Sequence, residues 1–134
     1  MPKSIELREY MRTPRTVKQN ATVAEAAQVI IDNRVSGIVV VDDGGELVGM
    51  LSELDCMQAI VSTVYNGGTP GAEIVGDVMT KEVAVNRPSE DIISVAADML
   101  KHKQRRRPIV DNGKLVGQIS CRQLLRAIKD FAGQ

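Results

Sequence analysis

The chain holds no tryptophan, one phenylalanine and two tyrosines in 134 residues, too few for the stacking platforms that bind single-stranded nucleic acid. Its formal net charge is zero, with 17 basic against 17 acidic residues, so a broad basic field that could follow a phosphate backbone is also missing. The two cysteines, Cys56 and Cys121, share no CxxC or Cys/His spacing. A disulfide framework and a zinc site are thereby excluded, and both read as reduced thiols. No apolar run approaches the roughly 18 residues of a membrane span; the strongest strip is Ile38 to Val41. The N-terminus carries charges at Lys3, Glu6, Arg8, Glu9, Arg12 and Arg15 where a secretory signal needs an apolar segment. A cytoplasmic chain that does not enter the membrane is expected. With one histidine, no glycine-rich phosphate loop and no Cys/His cluster, no nucleophile, acid/base pair or metal site can be assembled. The chain reads as a non-enzyme without catalytic or metal-binding residues and with no required cofactor.

What the chain does contain is a repeat. Val23 to Ile60 and Ile92 to Ile128 match with one gap: Val41 and Asp42 correspond to Val110 and Asp111, and Leu47, Val48, Gly49 and Ser52 to Leu115, Val116, Gly117 and Ser120. The extra residue falls in a turn, where an insertion costs least. Charge breaks the symmetry. Residues 1–66 hold 6 Lys/Arg and 9 Asp/Glu, and residues 67–134 hold 11 and 8, giving −3 and +3. The second excess sits largely in Lys101, Lys103, Arg105, Arg106 and Arg107.

Each copy predicts the same order of elements. A short extended piece, Thr16 to Lys18 or Val83 to Val85, leads into an amphipathic helix. In the first copy Thr22 and Glu25 have the spacing of a capping box, and Val23, Ala26, Ala27, Ile30 and Ile31 fall on one face. In the second, Ser89 is the expected cap, with Glu90 and Asp91 at the positive end of the dipole, and Ile92, Val95, Ala96, Met99 and Leu100 form the stripe. Hairpins follow, Ile38–Asp42 with Leu47–Leu51 and Pro108–Asp111 with Leu115–Ile119, turning through Asp43-Gly44-Gly45 and Asn112-Gly113. Closing helices span Glu53–Val64 and Cys121–Phe131. Their apolar faces, Leu54, Met57, Ile60, Val61 and Val64 in one and Leu124, Leu125, Ile128 and Phe131 in the other, suit either core or interface. The methionines, Met57 and Met99 among them, read most simply as core. The fold class is α/β (α+β), and one unit alone is too small to bury two faces.

Arranged this way, the sequence resembles the tandem cystathionine β-synthase (CBS) domain pair, or Bateman module. The resemblance rests on Met79-Thr80 and a weaker Met11-Arg12, the helix with its Ala-Ala pair, the strands ending VVVD and PIVD, and LVGMLSELD with LVGQISCRQ. It implies two β-α-β-β-α repeats packed with pseudo-two-fold symmetry: an N-terminal segment 1–9, copy one at 10–65, a connector at 66–76 and copy two at 77–132. It also implies a ligand cleft between the copies, binding AMP, ADP, ATP or S-adenosylmethionine and regulating a partner protein in trans. Association as a homodimer through the closing helices belongs to the same implication.

Residue by residue, Ser52 and Asp55 form S-x-x-D at the start of the closing helix, where the resemblance places the Asp on the ribose. A carboxylate there can accept both diol protons; the same residues also make an ordinary N-cap with an acid in the first turn. Arg15 and Thr16, with Arg34, Val35 and Ser36, occupy the strand starts that contact base and nucleotide in the family. Arg105 and Arg106 are the phosphate candidates, since guanidinium forks match phosphate oxygens; strand alternation would send them to opposite sides. A solvated cationic helix end and nucleic-acid binding are the competing readings of that run. A weaker second site falls on Thr80, Ser120 and Gln123, because Gln123 stands where the Asp would be. His102 reads as a surface residue complementing a helix dipole. The alternative function is a structural or interaction protein that acts through its surfaces without sensing a ligand.

Overall fold

A computed structural model describes residues 5–133. The chain is a mixed α+β protein divided into two compact units that are not the two halves of the sequence. One is Arg15–Val83; the other joins residues 5–14 to residues 84–133. Of the N-terminal segment 1–9, residues 1–4 lie outside the described residues.

The first unit holds β1 (Thr16–Lys18), α1 (Val23–Asn33), β2 (Gly37–Val41), β3 (Leu47–Ser52), α2 (Glu53–Tyr65) and the short α3 (Val75–Val78). β1 runs parallel to β2, with Thr16 opposite Val39, and β2 pairs antiparallel with β3. The capping box forms: Glu25 N–H donates to Thr22 Oγ1 at 3.2 Å, and Thr22 N–H donates to Glu25 Oε1 at 3.3 Å. Two orphan donors of the first turn are thereby satisfied. Arg34 then takes a left-handed conformation (φ 53°) that stops α1 and turns the chain into β2. Val17, Val23, Ala26, Ile30, Ile38, Val40 and Leu51 make the core.

In the second unit a 3-10 turn (Leu7–Glu9) is followed by α4 (Ile92–Lys101), β4 (Arg106–Asp111), β5 (Lys114–Ser120) and α5 (Cys121–Ala132). β4 and β5 pair antiparallel through a turn in which Asn112 (φ 51°) and Gly113 (φ 78°) are both left-handed, as a two-residue hairpin requires. Leu7, Ile92, Val95, Met99, Ile109, Ile119, Leu124 and Ala127 form a separate core. Residues 5–14, which include the first residues of what the sequence assigns to copy one, therefore complete the second copy: Leu7 N–H donates to Glu90 O at 2.9 Å, and Arg12 and Gln118 exchange both backbone bonds at 2.9 Å. The connector, with the first residues of what the sequence assigns to copy two, does the same for the first copy. Val23 N–H donates to Glu73 O at 2.8 Å, and Met50 and Thr80 exchange bonds at 2.9 and 2.8 Å.

Several details differ from the sequence reading. The cap of α4 is Asp91, whose carboxylate accepts from Ser94 N–H at 3.0 Å, and not Ser89; the ionised side chain lies one position before the helix, where it meets the free N–H groups. Val83–Val85 forms no strand, and pairing there is one parallel bridge from Asn86 to Ile109. The apolar stripe of α2 points outward: Leu54 is 74% exposed and Met57 61%, with Val61 and Val64 also exposed. Cys56 and Ala59 face the core instead, their small size letting α2 lie against α1 and β3. Ile31 and Leu100 likewise end their stripes in solvent, and Leu125 and Ile128 of α5 are exposed beside buried Leu124 and Ala127. No helix among the described residues is long and apolar enough to cross a membrane.

Candidate functional site

Four pieces of the first unit meet at one end of its sheet. They are the start of β1 (Arg15, Thr16), the start of β2 (Val35, Ser36, Gly37), the end of β3 (Ser52) and the first turn of α2. The backbone ties them. Val39 N–H donates to Arg15 O at 2.9 Å, Gly37 is in register with Ser52, and Glu53 N–H donates to Ser36 O at 2.9 Å. Ser52 and Asp55 close a capping box: Ser52 N–H donates to Asp55 Oδ2 at 3.0 Å, and Asp55 N–H donates to Ser52 Oγ at 3.1 Å.

This accounts for the helix start group by group. Among the described residues, the N–H of Leu54 and the Oδ1 atom of half-buried Asp55 keep no protein partner. One N–H donor and one carboxylate acceptor are therefore left to water or to a ligand. Arg15, Thr16 and Arg34 are exposed around this corner, and Val35 and Ser36 are half-buried. Burial, aided by Asp55, Glu53 and Glu73, pushes the Cys56 thiol up, so the neighbouring cysteine is a protonated core residue rather than a nucleophile.

The second unit repeats the corner with altered chemistry. Arg106 is in register with Ser120, and Cys121 N–H donates to Arg105 O at 3.0 Å, as Glu53 does to Ser36. Gln123 Oε1, however, accepts from both Ser120 N–H (2.8 Å) and Ser120 Oγ. Its carbonyl is fully used, and what it turns outward is an NH₂ donor where Asp55 turns out an acceptor. Arg105 is exposed and Arg106 half-buried. Thr80 belongs to the other unit, held by its two backbone bonds to Met50.

Sequence reasoning passed over Arg107. It is 2% exposed and engaged at three nitrogens: Nε to Gln104 Oε1 at 2.6 Å, Nη1 to Asn86 Oδ1 at 3.0 Å and Nη2 to Asp98 Oδ2 at 2.7 Å. The hydrogen bond from Arg107 holds the Asp98 carboxyl below the usual range. A signal was available in the repeat, because Arg107 occupies the position of buried Ile38, a place where a lone cation needs partners. His102 lies at the end of α4 with Nδ1 2.9 Å from Asp98 O and is exposed, as a dipole-complementing residue would be. Among the described residues no group of three His, Cys, Asp or Glu could hold a metal ion.

Two units of the same α+β construction, each presenting a strand-to-helix corner closed by a capping box, define a tandem-repeat module. Residues 7–62 and 75–130 each match the CBS domain, and the chain belongs to the CBS domain family as a tandem pair, a Bateman module.

Among curated relatives, it is 34% identical over 109 residues to the CBS domain-containing protein YhcV of Bacillus subtilis, covering 81% of this chain and 74% of that one. The protein MJ1225 of Methanocaldococcus jannaschii is 29% identical over 113 residues, which cover 84% of this chain and 39% of the relative. The chain thus spans well under two thirds of some of its relatives. Among solved structures, the crystal structure of CBSX2 in complex with AMP superposes with a TM-score of 0.81 at 30% identity, covering 95% of this chain and 98% of that one.

Proposed function

We propose that the chain is a non-catalytic regulatory module that binds an adenosine-containing ligand, AMP foremost, at the corner built from Ser52, Asp55 and the starts of β1 and β2. The observation that carries this reading is the half-engaged Asp55: one oxygen caps α2 and orients the carboxylate, and the other is left for a ribose diol. Ser36, Val35 and Arg34 with Arg15 and Thr16 line the strand starts for the base, and Arg105 and Arg106, at the corresponding strand start of the second unit, are its phosphate candidates through their guanidinium groups. The AMP complex of CBSX2, 30% identical with 95% of this chain covered, supports an adenosine-containing ligand and makes AMP the first of AMP, ADP, ATP and S-adenosylmethionine to try. Ser120 and Gln123 form the weaker position; Thr80, the third residue of that expectation, belongs to the first unit. The module has no required cofactor, acts in the cytosol with reduced thiols, and passes its ligand state to a partner protein in trans.

Homodimerisation through the closing helices is part of the same reading. Leu54, Met57, Val61 and Val64 present an apolar stripe on α2 that a monomer has no reason to keep in water. The same stripe favours a second reading, an interaction protein that works through this surface without a ligand.

Calorimetry and thermal shift with AMP, ADP, ATP and S-adenosylmethionine separate the two. Saturable binding of AMP that Asp55→Ala abolishes is the expected result. The absence of a shift with every adenosine compound would leave the interaction reading standing.

A further inference from the structure

The two copies superimpose position by position at the root of the strand that follows the first helix. Val17 lies opposite Val40 in β2 as Asn86 lies opposite Ile109 in β4. Val29 and Asp98 stand one residue before Ile30 and Met99, core residues of α1 and α4. Val35 N–H donates to Ile30 O as Gln104 N–H donates to Met99 O, after left-handed residues Arg34 (φ 53°) and Lys103 (φ 55°). Ile38 is in register with Leu51 as Arg107 is with Ile119. Four apolar residues packed in the first core, Val17, Val29, Val35 and Ile38, are thus replaced together by Asn86, Asp98, Gln104 and Arg107. The replacements are all bonded to one another through the guanidinium.

Arg107 is buried while the Asp98 side chain is 48% exposed; a pair with a buried member adds little stability over well-packed apolar residues, and removing its partner leaves that charge uncompensated. What the polar set adds is direction. Apolar burial is non-directional; a planar fork bonded to three separate segments fixes direction as well. The need for such a hold differs between the copies. β2 is entered through Ser36-Gly37, whereas β4 is entered through Arg105-Arg106 in a stretch of sequence that also holds Lys101 and Lys103, so its root carries more like charge than that of the first copy.

We propose that Arg107 is a positioning residue whose three-way clamp on Asn86, Asp98 and Gln104 fixes the start of β4, so that the exposed Arg105 is presented to an anionic ligand group. The ligand half of this rests on the reading that Arg105 meets phosphate; the positioning half does not.

Amide hydrogen exchange on the full chain tests it. The variant Asn86→Val/Asp98→Val/Gln104→Val/Arg107→Ile installs the first copy's residues and is expected to melt at or above the wild-type temperature. Its Cys121 N–H, bonded to Arg105 O, should exchange about tenfold faster or more. The equivalent Glu53 N–H of the first copy, bonded to Ser36 O, should be unchanged. Asp98→Asn, which keeps the shape and removes the charge, should shift Cys121 in the same direction. Unchanged Cys121 protection in the folded variants overturns the proposal. In parallel, AMP should be preferred over adenosine by the wild type and not by the variants. A wild type that binds neither compound defeats the ligand reading alone, because exchange at Cys121 still decides whether Arg107 positions the strand. Variants that loosen Cys121 yet keep the full preference for AMP overturn the link from clamp to ligand.

Discussion

The backbone carbonyl of Thr80 sits 2.8 Å from the point where a Cβ on Gly49 would stand. The same relationship recurs in the second unit, where the carbonyl of Arg12 is 3.1 Å from that point on Gly117. In each unit a segment from outside the repeat lies flat on the hairpin, exchanging backbone bonds with the next residue, Met50 or Gln118. A side chain at the glycine would lift that segment off. Gly49→Ala should cost about 1–3 kcal/mol, in the range of overpacking, and Gly117→Ala less, since its contacts are longer. Chemical denaturation of both variants checks the order; equal stability with wild type would mean that the segments do not hold the hairpins.

The outward atom at the third residue of each closing helix should decide which copy binds. Asp55→Asn keeps an oxygen for Ser52 N–H, so stability should fall by less than the roughly 0.5–2 kcal/mol of a lost cap. Adenosine-ligand binding should nevertheless be lost, because the outward atom becomes a donor. Gln123→Asp makes the opposite change and should strengthen the second position by about tenfold, the worth of one charge-assisted bond. Titration calorimetry of the pair reads this directly, and indifference of both sites to both substitutions would remove the ribose assignment.

Acid should weaken the Asp98–Arg107 pair. The Asp98 carboxyl is held below its usual range by the hydrogen bond from Arg107, so its contribution is complete above the unfolded-state value. It is lost as pH falls through the lower folded-state value. The stability gap between wild type and Asp98→Asn should be widest at neutral pH and close below about pH 4. Urea melts at a series of pH values measure it; a gap constant down to pH 2 would show that the charge does not contribute.

The cysteines should react unequally. Cys121 is exposed on the first turn of α5, while Cys56 is buried with its thiol pushed up by burial and by Asp55, Glu53 and Glu73. Iodoacetamide at pH 8 should label Cys121 in the native protein and reach Cys56 only on unfolding. Peptide mass spectrometry distinguishes the two, and fast native labelling of Cys56 would show that α2 opens readily.

Local signals in the sequence were read correctly where the cause is local. The Thr22 and Ser52 capping boxes, the Asn112-Gly113 turn and the stripes of α1 and α4, except for their last members Ile31 and Leu100, depend on residues a few positions apart. The cap of α4 was missed because Ser89 and Asp91 are both competent caps, and the choice falls to the backbone path set by Ile92 N–H bonding to Ile5 O at 2.8 Å. Periodicity located the apolar stripe of α2 but not its direction. A helix with Leu54, Met57, Val61 and Val64 on one side and Cys56 and Ala59 on the other has two faces that can be buried. Close approach to α1 selects the small one.

The sequence by itself determined the two-copy α+β construction, the CBS family and the inequality of the copies at Asp55 and Gln123, since each rests on residue order and type. Only the tertiary structure decided that residues 5–14 complete the second unit and residues 73–80 the first. Those pairings join backbone groups far apart in the chain, and no residue pattern announces them. It alone decided, too, that Arg107 is buried. A guanidinium in a cationic run reads as surface until Asn86, Asp98 and Gln104 are brought within hydrogen-bonding distance of it.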